Sequence, residues 1–504
     1  MPAIPGSPPG QRVLRASLWS FALLIAEKLL GLARVVVLAL FLSPREFGLF
    51  GFAILTMMAA DAMTRTGFQQ ALIRDPQDIR RHLDVAWSVQ LVRGLVLAAL
   101  LLGVAPLVGG YFDEPGTIRL TRAIALVPVL QGLSNIGVVY FQKELDFRKE
   151  FAFRLSGTLA DLSTSMVCAW LLRTAWALVF GLVAGAFVGT IVSYLIHPYR
   201  PRLRFEKRSL AELARYGIWL SLDGIMLFLG TRAAGLVVGK LAGAAALGLY
   251  QMAYRVPQIA IREVVAAVER IALPTYALVQ HDLPKLRRSY LGMGGLCVSL
   301  AAPAALGITL LGGDFVIFFM REAWKPMVPA LVLLAISGLI RVIPATGIPL
   351  FQACGAPKLG FFIQCARALA LALLIYPLTR RWGITGTAVC MILMALAGSG
   401  VWLRGIRKLL GWSIRDLKEG LLPPLISALV MGAVLYPLRL WTLPWVPAAI
   451  VPRAAWMACM ILIGMAVYLA SLWISLRALP RSVLFDTAKG VLHESGLFSG
   501  GWRR

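Results

Sequence analysis

Residues 43–76 read SPREFGLFGFAILTMMAADAMTRTGFQQALIRDP. The run is apolar enough to cross a bilayer as a helix, yet Asp61 and Arg65 lie inside it, four residues apart and so on one helical face. A charge at mid-bilayer costs about 2.5–3.5 kcal/mol even on the lenient insertion scale. A span that keeps two of them needs partners or water.

Apolar runs of this kind recur from end to end. Of 504 residues, 59% are hydrophobic and 15% charged, which leaves no polar surface for soluble domains. The chain reads as an all-α polytopic membrane protein. About fourteen spans emerge, near 14–42, 47–72, 83–109, 117–141, 150–172, 175–197, 213–240, 246–272, 289–311, 325–352, 358–379, 383–403, 419–438 and 452–476. The first is read as a span rather than a cleaved signal, because Glu27 and Lys28 interrupt it and no small-x-small site follows. The six cysteines are scattered without a CxxC pair and read as packing residues.

The net charge of +26 would suggest nucleic acid in a soluble protein. Here the basic residues sit in short loops without interleaved aromatics, so no nucleic-acid partner is expected. Alternate loops sort by charge, from Arg74, Arg80 and Arg81 through Arg200–Arg208 to Arg404–Lys408, against the acidic YFDEPG turn at 111–116. The basic side is cytoplasmic by the positive-inside rule, and an even span count puts both termini there.

An offset of about 200 residues aligns Arg15 with Arg215, Trp19 with Trp219, Gly48 with Gly248, Leu49 with Leu249 and Ala53 with Ala253. Each copy holds six spans, so the two insert in parallel. The expected domains are an N-lobe at 1–198, a basic linker at 199–212, a C-lobe at 213–410, two extra C-terminal helices in 411–478 and a cytoplasmic tail at 479–504.

Further charges inside spans include Glu27, Lys28, Arg34, Arg93, Arg122, Arg154, Asp161, Asp223, Arg232, Arg255, Arg262, Glu263, Arg341 and Arg367. If about ten faced lipid, the gross penalty would reach roughly 25–35 kcal/mol, beyond a typical net stability. They must pair, snorkel or face water. Glu27 and Arg34 are seven apart, as are Arg255 and Arg262, with Glu269 and Arg270 continuing that stripe. The charge concentrates on repeat-matched spans 1, 2, 7 and 8. Several arginines in a hydrated passage suit a phosphate or diphosphate, since guanidinium is a fixed cation with forked donors.

No GxxxxGK[ST] loop occurs, and GLVVGKL at 235–241 lacks its spacing and hydroxyl. The four histidines have no metal-ligand spacing, so no cofactor, metal or catalytic residue is expected. GLVAGAFVG at 181–189 places three glycines on one face and reads as close helix packing.

The stretches LSPREFGLFGFAI, TGFQQALIRDPQD, FQKELDFRKEF, TAWALVFGLVAG, RPRLRF, VGKLAGAAALGLYQMAYRVPQIAI and RIALPTYALVQHD carry a family resemblance over roughly residues 12–410. The chain resembles the lipid-linked oligosaccharide flippases (O-antigen, exopolysaccharide and teichuronic acid type) of the multidrug/oligosaccharidyl-lipid/polysaccharide superfamily. That resemblance implies two six-helix lobes around a central cavity plus two extra helices, working by alternating access in the bacterial inner membrane. Its substrate would be a polyprenyl-pyrophosphate-linked sugar unit, its surroundings membrane lipids, and its partners a polysaccharide polymerase and a chain-length regulator. Helices 1, 2, 7 and 8 would line the cavity, which makes Arg34, Arg65, Arg232, Arg255 and Arg262 candidates for diphosphate and sugar contacts. Relatives often carry an Asp just before the VGKLAG equivalent. Here that position is near Ala234, with Arg232 before it. Glu27, Asp61 and Asp223 are candidate ion-coupling acids.

Two rivals fit less well. A drug–cation antiporter of the same superfamily would have about twelve spans and a less basic cavity. A polysaccharide polymerase or ligase would need a long outer loop with catalytic residues, and the outer segments here run to about a dozen residues.

Overall fold

The computed structural model describes residues 23, 26–27, 30–31, 33–64, 80–143, 146–205, 207–355, 357–411, 414–447 and 449–478. Among them the chain is helical throughout, and ten segments are long and apolar enough to cross a membrane. It is a multi-pass membrane protein. The contacts divide it into two compact units, Met1–Gly248 and Leu249–Arg504.

In the first unit, residues 33–41 are helical and lead to α1 (Pro44–Met63). Ser43 caps α1 by accepting from the Glu46 amide at 3.4 Å, with Pro44 at the first helical position, where its missing N–H costs nothing. Helices α2 (Arg80–Tyr111), α3 (Gly116–Ile124) and α4 (Leu126–Leu133) follow. The expected single span over 117–141 is instead a broken helical path. It divides at Ala125, and again where Asn135 caps the 3-10 turn Ile136–Val138 before the short α5 (Val139–Lys143). Pro128, in the first turn of α4, has no N–H to continue the ladder of α3.

Helices α6 (Phe147–Leu172) and α7 (Trp176–Ile196) pack as a close pair. A Cβ on Gly181 would lie 1.9 Å from the Ser165 hydroxyl, and one on Gly185 would lie 2.8 Å from the Gly157 carbonyl oxygen. Gly189 faces open space, so two of the three glycines at 181–189 serve the packing.

Helix α8 (Lys207–Pro257) is two helices joined at Gly243, whose φ of 81° an L side chain rarely adopts. The returning arm packs on α1 with matched geometry. A Cβ on Gly48 would lie 1.7 Å from the Ala244 carbonyl oxygen, and one on Gly248 would lie 1.9 Å from that of Pro44. These four positions pair at the repeat offset, 44 with 244 and 48 with 248. This crossing lies within the first compact unit, which ends at Gly248.

In the second unit, Pro257 ends α8 and the chain makes a π turn, Gln258–Arg262, before α9 (Glu263–Val279). Then come α10 (Leu283–Phe319), the 3-10 turn Glu322–Met327, α11 (Val328–Val342) and α12 (Gly347–Ala353). Helix α13 (Pro357–Leu410) folds back on itself at Gly383, φ 56°. Unbent, its 54 residues would reach roughly 80 Å, far beyond the hydrocarbon core. The Thr379 and Thr387 hydroxyls meet at 2.8 Å across the return, so neither is left bare in an apolar setting. Helices α14 (Ile414–Thr442) and α15 (Ile450–Ala478) complete the chain's described part.

The core of this unit is continuous. It runs from Tyr276 and Tyr290 through Phe351 and Trp402 to Met457 and Tyr468, and the Trp402 indole donates to the Tyr290 hydroxyl at 2.9 Å. Leu429, Leu462 and Leu469 point outward, as a lipid-facing surface requires. Trp441 and Trp445 are exposed at one end of the α14–α15 pair, and Arg477 stacks 3.6 Å over the Trp473 ring at the other. All six cysteines are free, with Cys297 and Cys390 buried.

Candidate functional site

Most of the charges in apolar helices are paired within their own unit. In the first, Arg34 sits 2.7 Å from Asp161 on α6 and donates to the Ser165 hydroxyl at 3.1 Å. Gly181 and Gly185 make room for that group, since a Cβ at either would strike Asp161. Asp61 meets Arg93 of α2, whose Nε also donates 2.8 Å to the Thr64 carbonyl and so ties down the last turn of α1. Arg154 reaches Glu150 at 3.0 Å and Glu27 at 4.0 Å.

One end of this unit is pinned by further polar contacts. Arg45 bonds Glu114 at 2.9 Å, Lys240 bonds Asp113 at 2.9 Å, and the Glu46 carboxylate accepts from the Ala175 amide at 2.5 Å. At the opposite end, Tyr199 donates to Asp84 next to the chain's basic stretch. Burial and that carboxylate raise the Tyr199 phenol well above its ordinary range.

In the second unit, Asp314 is almost fully buried on α10 and accepts from Arg439 on α14 at both carboxylate oxygens, from Nε and, at 2.7 Å, from Nη2. The other charge cluster centres on Glu269 of α9, which lies within electrostatic reach of Arg262, Arg341 and Arg367, from the π turn, α11 and α13. Among the described side chains, three cations lie around this carboxylate.

The family model for polysaccharide biosynthesis proteins matches residues 37–329. The chain belongs to this family. It is 26% identical over 337 residues to the lipopolysaccharide biosynthesis protein WzxC of Escherichia coli, a match covering 66% of this chain and 68% of that one. It is 24% identical to the succinoglycan biosynthesis transport protein ExoT of Rhizobium meliloti, over 67% of this chain and 68% of the relative. Its fold is similar to that of a lipid II flippase, MurJ, in an inward closed conformation, with a TM-score of 0.70 over 93% of this chain and 100% of that one at 16% identity.

Within this polysaccharide biosynthesis protein, the residues singled out from sequence fall in different settings. Arg34, Glu27 and Asp61 are engaged in the pairs above. Arg65 lies outside the described residues, and Asp223 lies on α8 where side chains are outside the description. Arg232 is half-buried on α8, and Arg255 and Arg262 are exposed. The seven-residue spacing of Arg255 and Arg262 does not place them on one face. The π turn between them holds an extra residue, which swings the following face by roughly 100°.

Sequence reasoning found Arg93, Asp161, Arg341 and Arg367 as charges inside spans but not their partners. Asp61 and Arg93 are 32 residues apart, and Asp314 and Arg439 are 125 apart. No helical spacing links such pairs.

Proposed function

We propose that this chain is a flippase of the bacterial inner membrane. It moves polyprenyl-pyrophosphate-linked oligosaccharide from the cytoplasmic to the outer leaflet by alternating access, for cell-surface polysaccharide biosynthesis. Family membership across 37–329 is the observation that carries the reading, and ion-paired and arginine-rich membrane helices support it. Fourteen spans are consistent with the ten described segments. Helices α8 and α13, 51 and 54 residues long and broken at Gly243 and Gly383, would each supply two spans, and 14–42 and the broken path over 117–141 the remainder. The lobes at 1–198 and 213–410 then insert in parallel, with spans 13 and 14 outside the repeat and both termini cytoplasmic.

Arg65, Arg232, Arg255 and Arg262 contact the diphosphate and sugar in this account. Arg34, held by Asp161, orients its helix or exchanges partners when substrate arrives. A polymerase and a chain-length regulator would use the product at the outer face. The test is leaflet-resolved measurement of lipid-linked sugar in a deletion strain. Accumulation in the inner leaflet, reversed by the wild-type gene but not by Arg65→Ala or Arg255→Ala, is expected. An unchanged leaflet distribution on deletion would remove the reading.

A further inference from the structure

The stretch from His197 to Phe205 has no regular secondary structure, yet it is strapped along the first unit. It leaves the end of α7 beside Asn135, a fully buried side chain. The Asn135 Nδ2 donates to the Tyr199 carbonyl at 2.7 Å, and its Oδ1 accepts from the Gly137 amide at 2.9 Å. His197 Nδ1 accepts from the Tyr199 amide at 3.2 Å, and Arg200 donates to the carbonyls of His197 and Tyr199. The chain then meets α2. Tyr199 donates to Asp84, the Arg202 amide donates to the same carboxylate at 3.0 Å, and the Arg204 amide donates to the Ser88 hydroxyl at 2.9 Å. Asp84 and Ser88 are one helical turn apart, about 6 Å along the axis, and two residues of extended chain reach about 7 Å. The strap therefore runs beside α2 in the direction of that helix.

At Arg202 and Arg204 the backbone makes these bonds, which leaves the side chains outside. Arg202, Leu203, Arg204 and Phe205 are all exposed, Leu203 at 66% and Phe205 at 58%. Asp84 and Ser88 lie in the first two turns of the membrane-crossing segment Leu83–Tyr111, so the strap descends about one turn along the end of a span. At that depth a bilayer offers phosphates to a guanidinium and the start of the acyl chains to leucine and phenylalanine. The sign of the charge also fits. Residues 197–208 carry Arg200, Arg202, Arg204, Lys207 and Arg208 against the single acid Glu206. Asp84 offsets one more cation and is engaged by the Tyr199 hydroxyl and the Arg202 amide.

We propose that Arg202 and Arg204, with Leu203 and Phe205 interleaved, form a docking surface for anionic phospholipid headgroups at the end of the first unit. Asn135, Asp84 and Ser88 are its positioning residues, since they hold the strap at the level of the headgroups without using its side chains. The inference needs a chain that spans the membrane and is independent of what the chain transports. An arginine at an anionic surface gains roughly fivefold in association, so the pair discriminates phosphatidylglycerol from phosphatidylcholine.

The experiment is peptide-resolved hydrogen exchange on the full chain in nanodiscs of phosphatidylcholine, alone or mixed with phosphatidylglycerol. Peptides covering 199–205 are expected to exchange roughly threefold or more slowly in the mixture, and added salt should shrink the difference. The double variant Arg202→Gln, Arg204→Gln should erase it and leave exchange in pure phosphatidylcholine unchanged, because the backbone bonds to α2 remain. Asp84→Asn should speed exchange of the strap in both lipids, which separates positioning from headgroup contact. Lys325→Gln, a surface cation of the other unit, should change nothing in these peptides. Equal exchange in the two lipids overturns the site, as does protection by phosphatidylglycerol that survives the double variant. Protection by added oligoglutamate with none from phosphatidylglycerol assigns the surface to an acidic protein segment and overturns the lipid site as well.

Discussion

A buried ion pair is worth most when its loss is considered one partner at a time. Asp314 accepts from both Nε and Nη2 of Arg439, so Asp314→Asn leaves a cation facing an apolar interior. The expected loss is about 3 kcal/mol, the lower end for a broken buried pair because Arg439 retains some exposure. Thermal unfolding in detergent measures it, and adding Arg439→Gln should restore part of the loss. Asp282 is the surface counterpart. It caps α10 by accepting from the Lys285 amide at 3.1 Å, and its carboxylate also lies 2.9 Å from the Lys285 ammonium. Those hydrogen bonds from Lys285 hold its carboxyl below the usual carboxylate range. A group with a depressed folded value stabilises while ionised. The cap is therefore intact above about pH 4 and is lost as pH falls through the depressed value. Faster amide exchange in the first turn of α10 at acid pH, absent in Asp282→Asn, is the expected result.

At the scale of elements, close helix approach depends on missing side chains. Gly48→Ala places a methyl 1.7 Å from the Ala244 carbonyl oxygen, a contact that backbone must move to relieve. The expected destabilisation is about 1–3 kcal/mol, with Gly248→Ala similar and the double variant less than additive because both open one crossing. Gly181→Leu should separate α6 from α7 and expose the Arg34–Asp161 pair, read as increased labelling of a cysteine introduced at Ser165. The repeat offset pointed to Gly48 and Gly248 as equivalent positions. That their helices cross each other could not be read from it. The π turn is the opposite case: a regular seven-residue stripe was legible, and Pro257 interrupts the regular helix on which it relied.

For the whole molecule, leaflet-resolved transport is the measurement that bears on function, and the Arg65 and Arg255 variants are its sharpest form. The composition and apolar runs alone required a polytopic helical membrane protein, because a chain with 59% hydrophobic residues has too little polar surface to fold in water. The motifs from 42 to 282 were enough for the family. Helix ends at Ser43 and Asp282 were equally local, since a cap depends on neighbours three residues away. The partners of the buried charges needed the tertiary fold. Coulombic pairing depends on distance through space, and helices 32 or 125 residues apart in sequence meet only after the chain has packed. So did the approach of Arg341 and Arg367 to Glu269, which brings together helices that no periodicity connects.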